Sequence, residues 1–344
     1  KLNEERKKLS TKDRVAYTSH TMFYPFTIDD CFLSSSQNLF PVEYAIKHKN
    51  DLLESGQYSG MLCDVFLESG NKLGTTKSNK QLAGFPFSGG VIDAPVQIFE
   101  MPQSNRFDDF IYVSGSDPYK QAKSDTPSLG AFYVFKRRVG IRDPYAYRIV
   151  ASYVSRPSSI DQFCRTCEVL QKGYGAICLM ENADQMYEQY LNRKSGMPAS
   201  FFLFAGEAIA NKYVKAGSRQ NSKLGLYPTP GNQNLLFSCV VDYCWQDFVI
   251  GYDDQTGLDI TVKGIELIDD IALLDEIIQY KPGLNVDRII AFGHALVLAR
   301  YFDDNNYMPK SKIEEMNNAR KEDAYKHHEV YASAFGSVSI GAFR

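Results

Sequence analysis

Residues 110–135, FIYVSGSDPYKQAKSDTPSLGAFYVF, set two apolar, β-rich runs around a polar turn holding two aspartates, Asp117 and Asp125. Asp-Pro and Ser-Asp are ordinary loop dipeptides, so turn chemistry alone accounts for either acid. A carboxylate just past one buried strand, with another just before the next, equally suits a metal site. Which reading holds depends on the acids that the fold brings alongside.

Outward from this stretch, turn residues bound expected strands at 110–114, 129–136 and 146–154, and VIDAPVQIFEM (91–101) also reads as strand-forming. SSIDQFCRTCEVLQKG (158–173) spaces Ile160, Phe163, Cys164, Cys167 and Leu170 helically behind Ser caps. AICLM (176–180) is a short continuous apolar run, the pattern of a buried strand. Helices are expected over 182–193, 233–248, 265–280 and 286–303. Three strands in succession, then alternating helices and strands, predict an α/β fold: a mixed β-sheet flanked by helices on both faces. Residues 42–90 read as an insertion or linker.

With 344 residues, 44% of them hydrophobic and 23% charged, the chain has the composition of a soluble globular protein with a substantial core. A net charge of −3 offers no global signal for a nucleic-acid partner, so local charge has to carry one. Seven cysteines, an odd number without a disulfide-like framework, suggest a reduced, cytoplasmic chain. No signal peptide and no apolar run near membrane-spanning length is apparent. The chain begins at Lys1 and reads as a piece of something longer. Residues 110–175 hold ten Lys/Arg against five Asp/Glu, while 241–287 hold eleven acids against two bases. That asymmetry fits a basic flank beside an acidic pocket, and equally a solvated face.

Glu181 follows AICLM as Asp117 follows FIYVSGS, so both acids are expected at the C-terminal ends of buried strands. Were those strands parallel neighbours, the carboxylates would converge at the sheet edge where open α/β sheets place their sites. Asp287 opens VDRIIAFGHALVLARYF, a helix apolar nearly all round and therefore expected to be buried. Singly, Asp117 is also a turn residue, and Glu181 and Asp287 are also ordinary acids at helix starts. Gathered together, three carboxylates repel one another and force protonation unless cations relieve them. Oxygen-only ligation suits Mg²⁺ or Mn²⁺, and a pair of ions about 3.5–4 Å apart supports phosphodiester hydrolysis. His294, seven residues beyond Asp287, reads as a core histidine, and Cys164, Cys167, Cys178, Cys239 and Cys244 read as core. The chain has no GxxxxGK[ST] loop, so it is not by itself a P-loop ATPase.

Over about residues 20–305 the sequence resembles the C-terminal endonuclease region of the large terminase subunit of tailed bacteriophages. Five segments carry the resemblance in order: FYPFTIDDCFLSSSQNLFP (23–41), YVSGSDPYKQAKSDTPSLGAFYVF (112–135), AICLMENADQMYEQYL (176–191), LGLYPTPGNQNLLFSCVVDY (224–243) and GIELIDDIALLDEIIQYKPGLNVDRIIAFGHALVLARYF (264–302). The resemblance implies an RNase H-like nuclease fold over 105–344. It makes 1–104 a segment trailing an absent ATPase domain, a linker or extension. It further implies metal-dependent cutting of double-stranded viral DNA during genome packaging, in the infected host's cytoplasm at the procapsid portal. Asp117, Glu181 and Asp287 carry over as the catalytic, metal-binding triad for two Mg²⁺ or Mn²⁺ ions, with Asp125 as a fourth ligand or a turn residue. Implied partners are DNA, the portal protein, the small terminase subunit and the covalently linked ATPase domain. Phosphate contacts would come from two basic segments, with Lys120, Lys123, Lys136, Arg137 and Arg138 in one and Lys212, Lys215, Arg219 and Lys223 in the other. Unlike many members, which have two adjacent acids in the final motif, this chain has Asn285-Val286 before Asp287. The alternatives are a non-catalytic DNA- or portal-docking module of the same fold, and another RNase H-like enzyme such as a resolvase or transposase.

Overall fold

A computed structural model describes residues 38–56, 60–103, 110–119, 128–137, 146–182, 185–196, 198–214, 224–253, 256–281 and 283–307. In chain order the elements are α1 (Val42–Ser55), β1 (Met61–Leu67), β2 (Leu73–Lys77), β3 (Val96–Ile98), β4 (Tyr112–Asp117), β5 (Gly130–Lys136), β6 (Arg148–Ser155), α2 (Ile160–Tyr174) and β7 (Ile177–Met180). They continue with α3 (Met186–Lys194), α4 (Gly206–Tyr213), α5 (Pro230–Trp245), β8 (Asp247–Asp253), β9 (Leu258–Lys263), α6 (Ile271–Ile278) and α7 (Asp287–Asp304).

Strands β1–β7 form one mixed sheet in the order β2-β1-β3-β6-β5-β4-β7, and helices cover both faces. Every neighbouring pair is antiparallel except β4 and β7, which run parallel. A parallel pair needs a crossover, and α2 supplies it between β6 and β7. Alternation along the strands divides the core. Val113, Tyr133, Phe135 and Leu179 face a cluster containing α1, α5, α6 and α7. Tyr112, Phe132, Val134, Cys178 and Met180 face α2 and α3. On α2, Phe163, Cys164, Cys167 and Leu170 are buried as their spacing predicts, and the helix ends at Gly175 in the left-handed conformation that favours glycine.

Helix α7 is buried along most of its length, between the sheet and α5. Its seating depends on Gly115 in β4. A Cβ there would lie 2.1 Å from the Ala291 carbonyl oxygen and 2.3 Å from the Ala295 nitrogen. Only a residue without a side chain lets the helix backbone settle onto the strand.

Four expectations need correction. The segment 42–90 is not a linker, since it provides α1, β1 and β2, and β3 follows at Val96. The boundary placed at residue 104 falls inside one sheet, with β3 paired to β6 through Gln97 and Ser152. Its strands are short or half-exposed, so they lack the long apolar runs that announce β5 and β6. Finally, the helix expected over 233–248 ends at Trp245, and the chain turns into a β8–β9 hairpin around Gly257, whose positive φ closes the turn. The helix expected from 265 begins only at Ile271, where Asp270 accepts the Ala272 and Leu273 N–H groups at 3.0 and 3.2 Å.

Among the described residues no helix is long and apolar enough to cross a membrane. The six cysteines among them are unpaired and buried.

Candidate active site

Strands β4 and β7 are in parallel register from Val113 opposite Ile177 to Ser116 opposite Met180. The next residues on each are Asp117 and Glu181. Strand β4 runs further than its apolar run predicts, and Asp117 is its last residue, paired with Ala131. Glu181 is held from both sides: its N–H donates to the Ser116 carbonyl at 2.9 Å, and it bridges in parallel to Leu226. The Leu226 N–H in turn donates to the Met180 carbonyl at 2.7 Å. Gly225, in the left-handed region, is required beside it because a Cβ would lie 2.7 Å from that carbonyl.

Asp287 arrives from the other direction, as the first residue of α7. It is only 8% exposed, and burial raises its pKa above the usual aspartate range. Three donors oppose that rise: Leu129 N–H at 2.7 Å, the Asn285 amide at 2.8 Å and the Ser128 hydroxyl at 3.1 Å. The loop leading into β5 therefore holds this carboxylate from one side and Asn285 holds it from the other. Behind that loop, buried Arg156 donates to the Ser128 carbonyl and lies 4.9 Å over the Tyr119 ring. Sequence reading missed Ser128, Asn285 and Arg156. Only Asn285, an amide two residues from an acid at a helix start, carried a local signal.

Asp117, Glu181 and Asp287 line one cavity of about 670 Å³, together with Ser128, Asn285 and residues of α5. Its lining also includes Phe237 and Tyr280, whose rings pack 4.7 Å apart, and the exposed residues Gln233 and Asn234. Helix α5 starts at Pro230 because Thr229 caps it, accepting the Asn232 N–H at 3.2 Å. The three acids thus come from a strand end, a strand exit and a helix start, at the C-terminal edge of the parallel pair.

Beneath Asp287 lies a buried polar layer. Glu276 on α6 faces Arg288 at 3.5 Å, and Tyr133 donates to Asp270 at 2.9 Å. Burial pushes Glu276 up to about 8 despite the neighbouring guanidinium. His294, fully buried between α7 and β4, is pulled down to about 4 by burial. Its Nδ1 lies 2.9 Å from the Ile290 carbonyl and its Nε2 has no hydrogen-bond partner. It is a core histidine, as expected.

The donor chemistry of the cavity, oxygens of carboxylates, amides and hydroxyls, fits a hard divalent cation. The spacing fits less well. Among the described residues no three His, Cys, Asp or Glu side chains close into a metal-holding group. Asp125 lies outside the described residues, as do Lys120, Lys123, Arg138, Lys215, Arg219 and Lys223.

Two expected DNA contacts are corrected. Lys136 is 0% exposed and paired with Glu100 at 2.8 Å. Arg137 is 3% exposed, paired with Asp303 at 2.6 Å and set over the Phe302 ring. A cation already desolvated and paired in the core has no free face for phosphate. Lys212 lies near Asp304, at 3.7 Å, and over the Tyr301 ring. The acidic run 241–287 does not make an acidic pocket either, since Asp287 is the one acid it contributes to the described cavity wall. Asp247 pairs with Lys263, Asp275 with Lys49, and Asp270 caps α6.

No family model matches the chain, and no curated protein matches it.

Proposed function

We propose that this chain is a metal-dependent nuclease hydrolysing phosphodiester bonds in double-stranded DNA. The observation that carries the reading is the parallel register of β4 and β7, which sets Asp117 and Glu181 at one sheet edge while α7 brings Asp287 to the same cavity. The finer fold reading, RNase H-like, is supported by three antiparallel strands followed by a helix and a parallel fourth. A role in viral genome packaging, with a linked ATPase domain, portal and small subunit as partners, rests on the sequence resemblance to terminase nuclease regions.

In this reading Asp117, Glu181 and Asp287 would hold two Mg²⁺ or Mn²⁺ ions. Such ions supply an activated water and stabilise the leaving oxygen. The chain's own contribution is positional. Backbone pairing on both sides fixes the Glu181 main chain, and three donors keep the Asp287 carboxylate oriented.

A second reading is a non-catalytic docking module for DNA or the portal. It is favoured by the Asp287 carboxylate's three protein donors and by the absence of a closed three-ligand group among the described residues.

Plasmid nicking with Mn²⁺ or Mg²⁺ separates the two. A nuclease linearises or nicks the plasmid, and Asp117→Asn, Glu181→Gln and Asp287→Asn each lose about a hundredfold or more of that activity. A docking module shows neither cleavage nor Mn²⁺-dependent thermal stabilisation, and variants cutting as fast as the parent would remove the assignment.

A further inference from the structure

Helix α7 delivers Asp287 to the cavity, yet its own cap position, Val286, has no side chain that accepts a backbone N–H. The acceptor comes from another helix. Glu276 on α6 takes the Ile289 N–H at 2.8 Å through Oε1, and its Oε2 faces the Arg288 guanidinium. Arg288 continues to the Ala83 carbonyl, in the segment after β2. Ile289 is the third residue of α7, the position whose N–H a cap side chain ordinarily satisfies. Around this pair stand Tyr133 from β5, Asp270 at the start of α6, and Asp287 itself.

Burying an ionisable pair is at best weakly stabilising, because desolvation offsets the attraction. Two ionisable side chains under the cavity floor are therefore better explained by what they hold than by stability. They tie three separate pieces, α6, the first turn of α7 and the segment around Ala83, to the residues beside Asp287.

We propose that Glu276 is a positioning residue for the Asp287 carboxylate, capping α7 from α6 so that its first turn holds one height and rotation over the cavity. The role rests on the nuclease reading of that cavity. What matters is the acceptor oxygen at Ile289. The contact with Arg288 is replaceable by a matched removal of both partners.

Two double variants isolate the cap at equal charge. Glu276→Gln with Arg288→Met keeps an acceptor for Ile289, and Glu276→Met with Arg288→Met removes it. In Mn²⁺-dependent cleavage of a duplex oligonucleotide, the Gln/Met variant should keep kcat within about threefold of the parent. The Met/Met variant should lose about tenfold or more in kcat with KM nearly unchanged, the pattern of a displaced reacting group. Equal rates for the two variants overturn the proposal. If the Met/Met variant has no cooperative melt, amide hydrogen exchange decides: Ile289 slow in both the parent and the Gln/Met variant supports the cap, and Ile289 fast in the parent overturns it. A parent that never cleaves defeats the nuclease reading and this role with it, whereas a cleaving parent with indifferent variants defeats the role alone.

Discussion

The Glu181 N–H donates to the Ser116 carbonyl at 2.9 Å, which fixes Glu181 one step beyond β7 and level with Asp117 at the end of β4. The spacing of the two acids is thus a property of strand pairing rather than of loop conformation. Asp287 joins them through a different contact, the seating of α7 on β4.

That seating predicts the effect of Gly115→Ala. The added methyl meets helix backbone at 2.1 and 2.3 Å, and backbone cannot rotate away as a side chain does. The variant should lose about 3 kcal/mol or more, at the upper end for overpacking, and α7 should shift away from the sheet. Denaturant unfolding measures it; a midpoint equal to the parent's would mean that α7 does not approach β4 this closely.

Asp287 should separate fold from chemistry. In Asp287→Asn the remaining oxygen still accepts from Leu129 and Asn285, and the Ser128 hydroxyl can turn to accept from the new amide. Its melting temperature should stay within a few degrees of the parent's, whereas Asp287→Ala orphans three donors and should cost about 2–3 kcal/mol. Equal stability of the two variants would show that these hydrogen bonds do not form.

His294 makes stability depend on acid. Its folded pKa, about 4, lies below the ordinary 6.5, so the unfolded chain binds the proton first. The contribution is fully present above pH 6.5, falls as the pH drops through that value, and is gone near pH 4, a change on the order of 3 kcal/mol. In His294→Asn that part of the acid slope should flatten. Parallel pH profiles of parent and variant between pH 4 and 6.5 would contradict the burial.

Arg137 should matter for folding and not for DNA. Removing the buried guanidinium leaves the Phe110 and Tyr307 carbonyls and the partly exposed Asp303 carboxylate without their donor, so Arg137→Ala should destabilise by about 1–3 kcal/mol. The salt dependence of DNA binding should keep its slope, since no phosphate contact is lost. A slope shallower by about one unit would restore Arg137 to the DNA track.

Much of this was legible in residues 110–181. Strands β5, β6 and β7 and helix α2 are announced by local patterns whose burial is all-or-none: continuous apolar runs, a clean 3.6 period and a terminating glycine. The three cavity acids were legible because each stands at the end of such an element. Illegible were α1 and β1–β3, whose half-exposed residues carry weak periodicity, and the β8–β9 hairpin, hidden behind a helical pattern that stops at Trp245. Charge was the least reliable guide. Lys136 and Arg137 read as a basic patch, yet alternation and pairing sink both into the core.

Local sequence was enough to establish the mixed α/β class, the order of the central elements and the three acids at their ends, because hydrophobic periodicity and turn chemistry act over a few residues. Whether those acids meet was decided only by tertiary structure. It took the parallel register of β4 with β7, the missing side chain at Gly115 that admits α7, and donors from Ser128, Leu129 and Asn285 around Asp287. These are contacts between segments more than 60 residues apart, with Asn285 the one local exception, and nothing in a local pattern encodes them.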